Sequence, residues 1–419
     1  MSGSATRRRA ASARPARPEW PGRGDFVRLW VGQALSDLGS RASGTAFTLL
    51  VLAETHSPVK AGVAGAFSMA GFLVAHLFGG LVADRHPRRT VMIACDAVSL
   101  AALLVFTATL LTGRFSFLVA VGMCLVSGLA YGVFSVAETA AVSYVADGDR
   151  LPRALVLNQA RSYGAGLSGP PLGGLLLGLG RAVPFAADAV SHVVSLVLLR
   201  RMRSPLGRPD PGSGRALDRG SLTQGWRNVL NTPFIRLTGA FVAVTDFLIN
   251  ALRLVIVVLA QRGGGSSVHV GLILACGSAG GLLGALVGSR TRTRPSLLRV
   301  FVIAVPLGTA GLFALLSVSQ GFAIGAVYAL VFAAWPLWQG LVTARWMTLV
   351  PDHERAQTFA AVRLMTATPS LFAGLAGGWL IVQVGSQHSC LVLAAVMAAV
   401  GLAAALPSSR RALSVRAED

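Results

Sequence analysis

Along the chain, apolar runs of about twenty residues or more alternate with short polar breaks from Trp30 to Leu406. A helix of that length crosses a hydrocarbon core of about 30 Å. The runs predict spans at 28–53, 61–83, 90–112, 116–146, 154–179 and 183–202, then at 234–260, 267–288, 296–318, 321–347, 357–383 and 387–406. An Arg/Ala/Pro/Ser tail at 1–27 is expected to be disordered, and 407–419 forms a second tail. A polar stretch at 203–232, rich in Pro, Gly and Arg, reads as a loop between two six-helix bundles, 28–202 and 233–406. The predicted fold class is an all-α polytopic membrane protein of twelve transmembrane helices.

Composition supports the spans. The chain is 53% hydrophobic and 13% charged with a mean hydropathy of +0.64, so it needs lipid as a solvent. A net charge of +20 would suggest nucleic acid in a soluble protein, but here the arginines sit in alternate connections. They gather before the first span, after the second (Arg85, Arg88, Arg89), in 203–232, after the eighth (Arg290, Arg292, Arg294) and at the end. This positive-inside pattern places both termini in the cytoplasm and excludes a nucleic-acid partner. Heavy use of Arg, Ala and Gly points to a bacterial cell membrane. Cys95, Cys124, Cys276 and Cys390 are scattered singly in apolar runs, so no metal, cofactor or redox role is expected.

The chain also repeats itself. GGLVADRHPRRT at 79–90 returns as GALVGSRTRTRP at 284–295, a shift of 205 (284 − 79), and Asp147 with Arg150 returns as Asp352 with Arg355. Two membrane halves related in this way suggest a path between them.

Charged side chains at membrane depth cost about 2.5–3.5 kcal/mol on insertion scales, so they mark cavities and partners. Gln33, Asp37 and Arg41 share a face of the first span at i, i+4 and i+8; Asp246, Asn250 and Arg253 form a similar stripe on the seventh. Each stripe is expected to neutralise itself along its helix. Glu138 on the fourth span has no basic residue one turn away, which makes it the first candidate for proton carriage, with Asp37 second. Asn158 and Arg161, and Trp335, Trp338 and Gln339, are candidate cavity residues. Asp188 and His192 are read as a structural i, i+4 pair.

Two motifs carry a resemblance. Gly80, Asp84, Arg85, Arg88 and Arg89 have the spacing of the signature loop of the major facilitator superfamily, although Pro87 stands where that family usually has Gly. Gly169, Pro170, Gly173 and Gly174 resemble the GPxxGG core of its antiporter motif. Phe26–Leu35, Ser57-Pro58, Leu151–Ala154 and the Phe185, Asp188, Ser191 run look like the group containing enterobactin and macrolide exporters. The resemblance implies a gating loop at 80–89, a helix bend at 169–174 and a protein that works as a monomer. It further implies proton-coupled efflux of an amphipathic small molecule such as a drug, antibiotic or secreted metabolite. A nutrient symporter and a non-transporting membrane sensor or partner subunit stay open as alternatives. No GxxxxGKS/T loop, HExxH or ATP-hydrolysing domain is present, so the chain is not expected to be an enzyme.

Overall fold

The structure is a computed structural model that describes residues 23–146, 151–202, 219–262, 265–290, 295–351, 354–407 and 409. The side chains at 23, 77, 79–81, 83–84, 144, 152, 219–222, 289–290, 295–300, 337 and 356 also lie outside the description. Gly80 and Asp84 of the signature loop, and Asp147, Arg150 and Asp352 of the repeat, therefore lie outside it.

The described residues form thirteen helices and no strand. The first half contains α1 (Arg23–Thr55), α2 (Pro58–Arg85), α3 (Arg88–Leu111), α4 (Phe117–Val145), α5 (Leu151–Leu179) and α6 (Val183–Arg200). A short helix, α7 (Arg219–Asn231), follows. The second half contains α8 (Pro233–Arg262), α9 (Ser267–Arg290), α10 (Pro295–Leu316), α11 (Phe322–Leu349), α12 (Arg355–Ser370) and α13 (Ala373–Ala405). Leu371 and Phe372 keep right-handed helical angles between α12 and α13, while Gly385 turns to φ 79°. The eleventh span is thus α12 with the first part of α13, and the twelfth follows Gly385. Only glycine adopts that angle without strain.

Local chemistry sets the helix ends. Ser57 caps α2, its hydroxyl accepting from Lys60 N at 3.3 Å, with Pro58 at the first helical position. Eight helical segments among the described residues are apolar and long enough to cross a membrane, making this a multi-pass membrane protein. α1 and α5 are absent from that set. They carry the charges of the site described below.

The structure differs from expectation at two boundaries. Residues 23–27 are already helical, because Asp25 accepts from Arg28 at 2.7 Å and Phe26 is buried against the first-half core. The end of the polar stretch folds as α7: Val229 and Trp226 pack on the second-half core, and Asn228 donates to Glu354 at 2.9 Å and to Thr358 at 3.0 Å.

The halves pack alike. α6 lies against α1 and α3, as α13 lies against α8 and α10; α2 meets α4 as α9 meets α11. Between the halves, α5 meets α9 and α2 meets α13. A Cβ on Gly174 would strike the carbonyl of Ser267, one on Gly271 that of Pro170, and one on Gly378 that of Pro58. These glycine approaches, with that of Gly62 to Gly374, are the backbone contacts that join the halves at the end opposite the arginine-rich connections.

Candidate functional site

Residues 33, 36, 40 and 43 of α1 follow a helical stripe toward α6, whereas Asp37 and Arg41 lie beside α5. Gly169 and Gly173 let α5 approach closely, since a Cβ at either would strike Arg41 or Ala42. That approach delivers Arg161, two to three turns earlier on α5, to the middle of the first half. Its Nε lies 2.9 Å from Asp37 Oδ2 and its Nη1 donates to Glu138 Oε1 at 2.7 Å. One guanidinium thus joins carboxylates from α1 and α4.

Both carboxylates depart from the sequence expectation. Asp37 is held by Arg161, with Arg41 acting at longer range, and Glu138 is not unpaired. The partner comes from a neighbouring helix, which spacing along one helix cannot reveal. The contacts also differ in kind. Glu138 receives an aligned, charge-assisted hydrogen bond, whereas Asp37 Oδ2 and Arg161 Nε meet without hydrogen-bond alignment. Side-chain exposure is 7% for Arg161, 15% for Asp37 and 13% for Glu138, so the bridge is largely closed off.

Beside the bridge stands Tyr131, 52% exposed, stacked on Phe72 with ring centroids 5.8 Å apart. Phe72 in turn contacts His76 at 4.2 Å, and His76 interacts electrostatically with Arg363 of α12. Those two belong to different halves. Arg363 also faces Asp246 of α8. The α8 stripe does not neutralise itself as expected: Asn250 donates to the backbone carbonyl of Asp246 at 2.8 Å, and Arg253 turns to the hydroxyl of Tyr328.

The remaining candidates separate. Gln33 is buried and donates to Ser195 of α6 at 3.1 Å, so it faces away from the bridge. Trp338 is 1% exposed in the second-half core, its ring tilted against that of Trp335 with centroids 5.4 Å apart, and its place is in helix packing rather than at a cavity wall. Asn158 and Gln339 are half-buried on α5 and α11. Arg88 donates to Ala140 O at 3.2 Å and Arg89 to Leu199 O at 2.9 Å and to Arg200 O, so both tie the α2–α3 connection to helix ends of their own half. α5 runs as one helix through Pro170 and Pro171. Within its motif, Gly169 and Gly173 pack on α1, while Pro170 and Gly174 pack across to α9.

A second polar group was missed in part. Asp96 of α3 accepts from Ser195 Oγ at 2.6 Å and lies 3.0 Å from His192 Nδ1. Asp188 lies 3.9 Å from the other nitrogen, His192 Nε2. The closer partner of His192 is therefore on another helix. Asp96 interrupts an apolar run, and the rule applied to Asp37 would have found it. Among the described residues no group of three or more His, Cys, Asp or Glu has the arrangement of a metal site.

The sequence matches the major facilitator superfamily over residues 29–367. The chain belongs to that superfamily. No curated protein sequence matches it at a significant level. Solved structures with the same fold include the nucleoside transporter NupG, with a TM-score of 0.70 and 13% identity over 90% of this chain and 98% of that one. A POT family transporter in complex with a thioalcohol-conjugated peptide has a TM-score of 0.71 and 12% identity, covering 93% and 96%. A bacterial homologue of the iron transporter ferroportin, in an inward-facing state, has 0.68 and 16%, covering 93% and 99%. At such identities these major facilitator structures share a fold, and their cargoes are their own.

Proposed function

We propose that the protein is a secondary transporter that exports an amphipathic small molecule in exchange for protons, by alternating access across a bacterial inner membrane with both termini cytoplasmic. The observation that carries this reading is the bridge in which Arg161 serves Asp37 and Glu138 together. A permanent cation shared by two carboxylates has two states of low charge, net −1 with both ionised and neutral with one proton bound. When a proton settles on one carboxyl, the guanidinium turns to the other; when a cationic or polar group of cargo displaces the guanidinium, the proton leaves. Tyr131 and Phe72 supply an aromatic wall beside these charges, suited to an amphipathic ligand. With basic loops facing the cytoplasm, the glycine contacts lie on the outer side. Export is favoured by the GPxxGG run and by the narrower likeness to enterobactin and macrolide exporters.

The test is ethidium and macrolide flux in everted vesicles with an imposed pH gradient. Asp37→Asn and Glu138→Gln are each expected to lower gradient-driven flux at least tenfold. Gradient-driven uptake by intact cells would reverse the direction, and unchanged flux in both variants would remove the bridge from coupling.

A further inference from the structure

We propose that Asp96, Asp188 and His192, enclosed between α1, α3 and α6 apart from the Arg161 bridge, form a proton-binding site. Asp96, Asp188 and His192 are 3%, 3% and 8% exposed. The imidazole lies between the carboxylates, 3.0 Å from Asp96 and 3.9 Å from Asp188. The other contacts are neutral: Ser43 donates to Asp188 at 2.6 Å, Ser191 at 3.2 Å and Ser40 at 3.4 Å, while Ser195 donates to Asp96 at 2.6 Å and receives Gln33.

The charge balance is what separates this group from the bridge. The bridge holds a fixed cation, since arginine keeps its proton. In the second group every charge depends on a proton. With both carboxylates ionised and the imidazole neutral, two negative charges would stand in a membrane span, which is costly without a bound proton. One proton makes an imidazolium flanked by two acceptors, and a second neutralises the set. Imidazole is the side chain whose charge changes near neutral pH. The hydroxyls that fill the carboxylate positions leave little room for a metal ion in the proton's place.

Charged groups on the surrounding elements fit this role. α1 presents uncharged side chains to the group, Gln33, Ser40 and Ser43 among them, its Asp37 and Arg41 lying toward α5. α3 adds the thiol of Cys95 beside Asp96, and α4 adds Glu138, whose charge interacts with that of Asp96. Proton occupancy here is therefore felt by one end of the bridge. The fold does not require the polar set: at the 205-residue shift, Asp188, His192 and Ser195 correspond to Leu393, Met397 and Val400, all buried where α13 packs on α8 and α10, and Asp96 corresponds to Phe301.

The link to transport rests on the proton-exchange reading, but binding is testable without cargo. Full-length protein in nanodiscs is titrated between about pH 8 and pH 5 and followed by infrared difference spectra of protonated carboxyl groups, with nitrogen-15 resonances of histidine. The wild type is expected to show a carboxyl band tied to a histidine titration. Asp96→Asn and Asp188→Asn should each lose part of the band, and His192→Gln should move its midpoint by about one pH unit or more. Ser195→Ala keeps all three groups and should shift the midpoint without removing the band. The combined Asp96→Phe, Asp188→Leu, His192→Met and Ser195→Val variant, copying the second half, should remain helical and lose the signal. A wild type without titration in this range, or a band unchanged in the folded variants, overturns the proposal. Proton binding without proton-driven flux would overturn the transport reading alone.

Discussion

The same three-helix packing is built from different material in the two halves. α6 meets α1 and α3 through Asp188, His192, Ser195 and Asp96, with serine hydroxyls between them; α13 meets α8 and α10 through Leu393, Met397 and Val400. The bridges differ likewise. Arg161 touches both Asp37 and Glu138, whereas Asp246 and Arg363 interact without an ion-pair contact among the described residues, and Thr343 stands at the position corresponding to Glu138. Apolar packing suffices to hold this architecture in lipid. The polar inventory of the first half is thus surplus to this packing.

The largest expected effect comes from removing the shared cation. Arg161→Ala strands two carboxylates in a closed site, and breaking a buried pair in this way costs about 3–5 kcal/mol. We expect flux to vanish and thermal stability in detergent to fall steeply, with partial recovery of stability when Asp37→Asn and Glu138→Gln are added. A full recovery of flux in that triple variant would deny the bridge its role.

Next in size is a transplant in the opposite direction. Leu393→Asp sets one carboxyl into the apolar counterpart of the polar group, with no imidazole beside it and with Ser389, one turn earlier, already donating to Gly385 O. The insertion cost is about 2.5–3.5 kcal/mol. We expect a large loss of folded protein in membranes, measured by fluorescence-detected size-exclusion yield. If Leu393→Asp were as well tolerated as the native Asp188, the hydroxyls and His192 would not be what accommodates that charge.

Two adjacent glycines separate assembly within a half from contact between halves. Gly173 faces the carbonyl of Ala42 in α1 and Gly174 that of Ser267 in α9. Gly173→Val should lower stability by about 1–3 kcal/mol through overpacking inside the first half. Gly174→Val should leave the first half intact and hinder closure of the outer end, raising cysteine labelling near Ser267 severalfold and lowering flux about tenfold. Equal labelling in the two variants would mean that the motif does not divide its contacts in this way.

The twelve-span architecture was legible because lipid imposes length and hydropathy on every crossing, and the repeat fixed its division. The site was legible as a list of costly residues, but their pairing was not. Spacing assigned Asp37 to Arg41 and left Glu138 alone, because helical periodicity sees neighbours on one helix; the single partner of both, Arg161, came from α5. Asp96 was passed over although it too interrupts an apolar run. Trp338 looked ligand-facing by residue type, and only tertiary packing placed it in the core. α7 hid inside a polar stretch because its apolar residues, Trp226 and Val229, occupy only one narrow face.

The smallest expected effect concerns the arginines of the α2–α3 connection. Arg89 donates to the last carbonyls of α6, where a cation meets the negative end of the helix. Arg88 donates to Ala140 O, more than a turn before the end of α4. Losing either half-buried contact should cost about 0.3–1 kcal/mol, read as a shift of a few degrees in melting temperature. If these residues act as staples within the first half, Arg89→Ala leaves the accessibility of introduced cysteines on both sides unchanged, and Arg89→Lys restores part of the stability. If the connection is instead a latch between states, accessibility at its own end changes while melting does not. The two outcomes differ because a staple to α6 moves with its half, whereas a latch must let go of something in the other.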